Sequence, residues 1–211
     1  MSTPLSYTGD EPSFAWDATR KPRAAGLFDM RPPSVPIDAK PIYDADLDCI
    51  IGYQKENAGV FRIYTLDGDI SVSEKPLEAP LLDPLDVLFM VGGIWRVGVR
   101  GLTDWGVKAV GASLERATLF GLRSRYYALM QRPLRFAPKP LMHMKNSGRY
   151  VPVHILRLVI KYGERTPDPR GKAGIFMYTH PIARDGKAYM LEVLVRDSDY
   201  TVLHFVYKPL Q

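Results

Sequence analysis

Two turn signals close to the C-terminus constrain this chain most. Asp185-Gly186 is a two-residue hairpin signal, because both residue types accept the positive φ that a tight turn between twisted strands demands. Asp197-Ser198-Asp199 is a second cluster of turn formers. Together they divide the C-terminal region into three apolar runs of strand length, Ile175 to Ile182, Lys187 to Arg196 and Tyr200 to Lys208. An antiparallel meander is predicted. Ahead of it, Val153 to Tyr162 has a helix pattern: Pro152 opens it, Ile155, Leu156, Val159 and Ile160 form one stripe, and Arg157 and Lys161 lie opposite. Gly163 is expected to close this helix in the left-handed cap conformation, and Arg165 to Lys172 to follow as a polar loop. A helix packed on one face of an antiparallel sheet is an α+β unit.

Charge separates this unit from the rest of the chain. Residues 131–211 hold 14 Lys and Arg against 6 Asp and Glu, net +8, whereas residues 1–130 hold 14 against 17, net −3. All four histidines, His143, His154, His180 and His204, also lie in the basic part. Clustered cations next to imidazoles point to a polyanionic target for one half only. The single cysteine, Cys49, precedes an apolar run and reads as a buried thiol; one cysteine forms no internal disulfide, which fits folding in a reducing cytosol. The histidines have no partners at zinc-ligand spacing, Asp197 and Asp199 read as turn chemistry rather than a magnesium site, and no phosphate-binding glycine loop or GxSxG elbow occurs. No metal and no cofactor are expected.

Upstream, residues 1–40 lack a sustained apolar period and are expected to be an extended or docking segment, with Phe14, Trp16, Leu27 and Phe28 as anchors to the body of the protein or to a carrier. They have no signal-peptide pattern. Residues 41–80 read as a small β-meander, with strands at Ile50 to Tyr53, Val60 to Tyr64 and Ile70 to Ser73. Residues 81–132 open on Asp83-Pro84, carry a Gly-rich helical pattern past Trp95 and Trp105 to Tyr126, and are expected to form a helical hairpin. Their longest run without a charge, Val87 to Trp95, is far short of a membrane span. Pro133, Pro138 and Pro140 mark the expected boundary to a basic domain at 133–211.

Four pieces of that last domain carry a family resemblance: "MHMKNSGRYVP" with His143, "IKYGERTPDPRGKAG", "YMLEVLVR" and the closing "TVLHFVYK". In order and spacing they resemble the C-terminal toxin domains of bacterial polymorphic toxins, the barnase/EndoU/colicin/RelE-like (BECR) ribonuclease group at the ends of contact-dependent inhibition, Rhs and type VI secretion effectors. The resemblance covers about a third of the chain, and the Gly-rich stretch resembles the pre-toxin segment that often precedes such domains. It implies a BECR-type helix and sheet of three or more antiparallel strands, and metal-independent endonucleolytic cleavage of RNA, tRNA among the candidates, to a 2′,3′-cyclic phosphate. It also implies a cognate immunity protein, expected to be acidic, a secretion-machine carrier reached through the N-terminal segment, and delivery from the producing bacterium into a target cell's cytoplasm.

Such cleavage needs a base for the 2′-hydroxyl proton, a cation for the phosphorane and an acid for the leaving 5′-oxygen. Histidine suits either proton role. His143 and His204 are the candidates, with Lys145, Arg149 and Arg165 for the charge clamp and Tyr207 to bond the phosphate or stack on a base. Arg170, Lys172 and Thr201 complete the expected substrate-binding set. A buried, hydrogen-bonded structural His204 is the competing reading, since both faces of its strand are apolar. Two other functions stay open: a non-enzymatic nucleic-acid-binding or adaptor module, and a toxin acting on DNA.

Overall fold

The computed structural model describes residues 7–17, 22, 25–57, 60–68, 70–74, 116–131 and 134–210. It is mixed α+β and divides into two compact units, Met1–Met30 with Ala128–Gln211, and Arg31–Tyr127. The two units divide at Ala128, ahead of Pro133, Pro138 and Pro140, and the N-terminal segment, expected to be extended or docking, groups with the C-terminal unit.

In the first unit the strands run β1 (Phe14–Ala15), β2 (Phe28–Asp29), β7 (Arg135–Phe136), β8 (Glu164–Pro167), β9 (Ile175–Arg184), β10 (Lys187–Arg196) and β11 (Thr201–Pro209). The sheet order is β1-β7-β11-β10-β9-β2, with β8 also on β9. Among the described strands of this sheet only β7 and β11 pair in parallel. The β9–β10 hairpin turns on Asp185 and Gly186 with φ of 48° and 83°, the two left-handed positions that turn needs. Among the described residues α1 (Arg116–Gln131) comes first, and two further helices lie in this unit, α2 (Pro138–Met144) and α3 (Val153–Tyr162). In α2, Pro138 and Pro140 sit in the first turn, where a missing N–H leaves no bond unmade.

Two expectations change here. Gly163 caps α3 in extended conformation, φ −69°, not left-handed. A Cβ there would stand 2.5 Å from the Val159 carbonyl oxygen and 2.9 Å from that of Thr179, so close backbone approach is what requires glycine. The start of the expected 165–172 loop is instead the edge strand β8, whose Pro167 sits where no ladder donor is needed.

The two faces of the sheet are covered differently. Met177 and Leu194, opposite each other in register, join Leu203, Ile175, Ala137 and Tyr7 in one buried cluster. Tyr178, Ile182, Leu191, Val193 and Phe205 on the other face are buried as well, and α3, which packs on β9 and β10, buries Ile155, Leu156, Leu158 and Val159. Tyr7 brings the N-terminal segment onto the sheet: its hydroxyl donates to the buried Asp168 carboxylate, and Arg170 donates to its carbonyl at 2.8 Å. Arg196 donates to the carbonyls of Gly9 at 2.7 Å and Glu11 at 3.1 Å, and Arg135 to that of Ser13 at 2.8 Å. Of the four expected anchors Phe28 is 3% exposed and Phe14 is 45% exposed, so the former anchors and the latter does not.

The second unit holds a four-stranded antiparallel meander, β3 (Lys40–Asp44), β4 (Cys49–Asn57), β5 (Val60–Thr65) and β6 (Ile70–Glu74), and most of α1 (Arg116–Gln131). Sequence reading found the last three strands and missed β3. Leu122 of α1 is fully buried close to Gly52, where a Cβ would lie 2.9 Å from it. Arg123 donates to the buried Asp44 carboxylate at 2.5 and 2.9 Å and to Asp46 at 2.6 Å. Cys49 is buried and takes part in no disulfide. Most of the expected helical hairpin, residues 81–115, lies outside the described residues. No helix among the described residues is long and apolar enough to cross a membrane.

If Tyr7 holds the N-terminal segment to the sheet, Tyr7→Ala lowers unfolding free energy by about 3–5 kcal/mol and Tyr7→Phe by about 1–2 kcal/mol. Urea midpoints of full-length variants check this; equal midpoints for all three proteins would refute the docking.

Candidate functional site

β7 pairs β11 at Thr201 and Val202 only, and α2 packs on β11. His143, near the end of α2, therefore meets side chains from both faces of one strand. Its ring centroid lies 6.5 Å from that of His204 and 5.7 Å from that of Phe205, edge-on to each. Sequence reading put His143 in a loop; it belongs to a helix, and helical spacing sets Lys139, Met142 and His143 on one side at i, i+3 and i+4, with Asn146 two residues past the helix end.

These four residues and Arg149 line a cleft of about 380 Å³. The loop after α2 shapes its far wall. Asn146 accepts the Gly148 N–H on its side-chain oxygen at 2.9 Å, and the N–H groups of Arg149 and Tyr150 on its carbonyl at 2.9 and 2.7 Å. This turn returns Arg149 to His143, NH1 to Nε2 at 3.0 Å. A guanidinium only donates, so Nε2 is the acceptor and the ring is neutral with its proton on Nδ1. The sheet holds the loop from below: Tyr207 donates to the Gly148 carbonyl at 2.7 Å, and Arg184 donates to the Ser147 carbonyl at 3.1 Å and to the Tyr207 hydroxyl.

Both imidazoles are kept deprotonated. Burial, then the Arg149 and Lys139 charges, push His143 below the usual histidine range. Burial, then His143 and Lys139, bring His204 down to about 4. Two neutral rings beside two cations form a site that resists protonation until negative charge arrives.

The other expected site residues are elsewhere or otherwise engaged. Lys145 is exposed at the C-cap of α2 and does not line the cleft. Arg165 lies in one register row with Tyr178, Val193 and Phe205, three strand spacings from β11, or about 14 Å. It pairs with Asp197 at 3.2 Å and covers the Phe176 ring, so it is no clamp for the histidine pair. Arg170 and Lys172 face the Tyr7 ring, at 4.9 and 5.9 Å, and hold the N-terminal segment. Thr201 is fully buried and donates to Asp199 at 2.7 Å. Tyr207 positions the loop through its hydrogen bonds and does not line the cleft. His180 sits on β9 with Nδ1 on the Pro181 carbonyl at 2.6 Å, and His154 is buried in α3.

Sequence reading missed Lys139, Met142, Asn146 and Arg184. Lys139 and Met142 share the i, i+3 spacing that marks one side of a helix, a signal hidden by reading Pro138 and Pro140 as a boundary, and Asn146 follows in the loop. Arg184 carries no sequence signal, because it acts only through the Tyr207 contact. Among the described residues no three His, Cys, Asp or Glu side chains gather as a metal site. No known family model, curated protein or solved structure matches this chain.

Removing the Arg149 charge relieves one of the two coulombic causes that depress His143. Arg149→Gln is expected to raise the His143 midpoint in an NMR pH titration, with the Nε2 signal changing tautomer population. An unmoved midpoint would mean the 3.0 Å contact does not form in solution.

Proposed function

We propose that the C-terminal unit is a metal-independent endoribonuclease, a BECR-type toxin domain that cleaves RNA by attack of a 2′-hydroxyl on the adjacent phosphate. The observation that carries this reading is the 6.5 Å approach of His143 to His204, two imidazoles 61 positions apart in sequence, beside a cleft walled by Lys139 and Arg149. The helix-then-sheet order α2, α3, β8–β11 supports the BECR layout.

His143 is the base. Its Nε2 lone pair faces Arg149 in the free protein; a phosphate in the cleft draws the guanidinium to itself and releases that lone pair to the 2′-hydroxyl proton. As the 2′-oxygen bonds to phosphorus, Arg149 and Lys139 hold the equatorial oxygens, and the bond to the 5′-oxygen breaks with a proton from His204. At a pKa of about 4 His204 is a poor acid in the free protein. A phosphate anion bound beside the pair favours the imidazolium and so shifts the His204 pKa upward, the direction the acid role needs. In the producing cell an acidic immunity protein covers the cationic cleft, and the N-terminal region serves delivery.

The test is direct. Full-length protein is expected to degrade RNA in EDTA, with DNA left intact, and His143→Ala to lose about 10²–10⁴-fold in rate while its far-UV spectrum is unchanged. Undiminished cleavage by His143→Ala would remove that residue from the mechanism, and DNA cleavage or binding without cleavage would replace the ribonuclease reading.

The pH dependence is the second expectation. The free protein needs His143 neutral and His204 protonated, so kcat/KM peaks at acidic pH, between about 4 and the ordinary histidine value of 6.5, and the kcat profile lies at higher pH. A kcat/KM flat from pH 4 to 7 would rule out this pair. His204→Ala is expected to lose activity on RNA and keep it on a 3′-phosphate ester with a nitrophenyl leaving group, which departs without an acid.

A further inference from the structure

The side chains lining the cleft have one hydrogen-bonding polarity. Lys139 and Arg149 carry donors only, and the single imidazole acceptor, His143 Nε2, already receives Arg149. Asn146 would break the pattern, since an amide offers a carbonyl oxygen as well as an NH2 group. Its loop prevents that. The backbone N–H of Gly148 must face an oxygen, so the 2.9 Å contact fixes which end of the amide is which. The carbonyl end is turned onto the loop, and the NH2 end is the part of this cleft-lining side chain that the Gly148 contact does not use. Beside it Met142 is 69% exposed, a large apolar side chain held in water at the cleft wall.

A cleft of about 380 Å³ is at the small end of ligand pockets and takes one nucleotide unit. The phosphate of that nucleotide goes to the two cations. A flat, polarisable ring lies well on a thioether side chain. What Asn146 then meets is the edge of that ring, and it meets it as a donor. The paired amide contact by which asparagine reads adenine needs both ends of the side chain, so it is closed to this residue.

We infer that Asn146 is a specificity residue, whose amide donates to a keto oxygen of the base beside the scissile phosphate and so selects guanine and uracil over adenine and cytosine. Guanine O6 and uracil O4 accept where adenine and cytosine carry amino groups, and an amino group there opposes donor to donor. Met142 supplies the platform without discriminating. This rests on the ribonuclease reading for the words scissile phosphate, and on the cleft alone for the base preference.

The test uses the full chain and the four nucleoside 3′-monophosphates, followed by NMR shifts at His143 and Asn146, alongside product mapping on an RNA of mixed sequence. The guanosine and uridine compounds are expected to bind about tenfold or more tightly than the other two, and the mapped sites to follow the same order. Asn146→Asp keeps an oxygen for the Gly148 N–H, so the loop is preserved, and replaces the outward donor with an acceptor. Its added charge weakens all four ligands alike, whereas the ratio between amino and keto bases is expected to invert. Four equal affinities, no binding of any, or an unchanged ratio in Asn146→Asp would overturn the inference. Base-selective binding by a protein that cleaves no RNA would sink the ribonuclease reading and leave this one standing; cleavage without base preference would do the reverse.

Discussion

The outer edge of β11 is paired to β7 over two residues and then left bare. A strand edge in that state exposes unpaired N–H and C=O groups that attract further strands. Here α2 covers it. From that helix the His143 ring comes within 6.5 Å of His204 and 5.7 Å of Phe205, centroid to centroid, although those two residues alternate along β11. The remaining features of the cleft follow from that placement. The loop after α2 must return toward the sheet, and Tyr207 and Arg184 fix its carbonyls, so Arg149 arrives at the imidazole from the solvent side.

Net charge overstates how much positive potential faces a ligand. Arg135, Arg170 and Arg196 donate to backbone carbonyls of the N-terminal segment, Arg184 to the loop after α2, Arg165 pairs with Asp197 and Lys208 with Glu192. These contacts use guanidinium and, at Lys208, ammonium donors where a polyanion would otherwise need them. The cleft keeps Lys139 and Arg149. Two cations beside two neutral imidazoles is a modest field, and its consequence is local: it depresses the imidazoles more than it attracts a long polyanion. A short-range phosphate site results, in which binding and proton transfer are coupled through the same charges.

What the sequence made legible was whatever local chemistry decides. The bounds of α3 and β10 were read to the residue and β9 and β11 within two, because Pro152, Asp185-Gly186 and Asp197-Ser198-Asp199 punctuate them. The short strands β1, β2 and β7 were not legible. Each is two residues long and exists only because a distant strand offers an edge, which leaves no periodicity to read. β3 was lost for a related reason, its Pro41 arguing against a strand although an edge position tolerates it. At the site, histidines stood out as residue types, and their approach was expected through a family resemblance. Lys139 is an ordinary surface residue until α2 is known to be a helix, Asn146 until the loop after it is seen to turn back, and Arg170 and Lys172 seemed available only because the Tyr7 they face lies more than 150 positions away.

The discontinuity of the C-terminal unit changes what counts as its domain. Proline spacing suggested a separable piece from 133 onward, yet one face of the central strands is closed by Tyr7, and the two ends of the sheet are formed by β1 and β2. Without residues 7–29 the Met177–Leu194 face loses a buried aromatic, Asp168 loses its phenol partner, and β7 and β9 lose β1 and β2 as edge partners. The N-terminal segment is thus structural material for the unit that bears His143 and His204, and the chain between Met30 and Ala128 is an insertion into it. Any role of that insertion in delivery must operate without detaching the segment that completes the sheet.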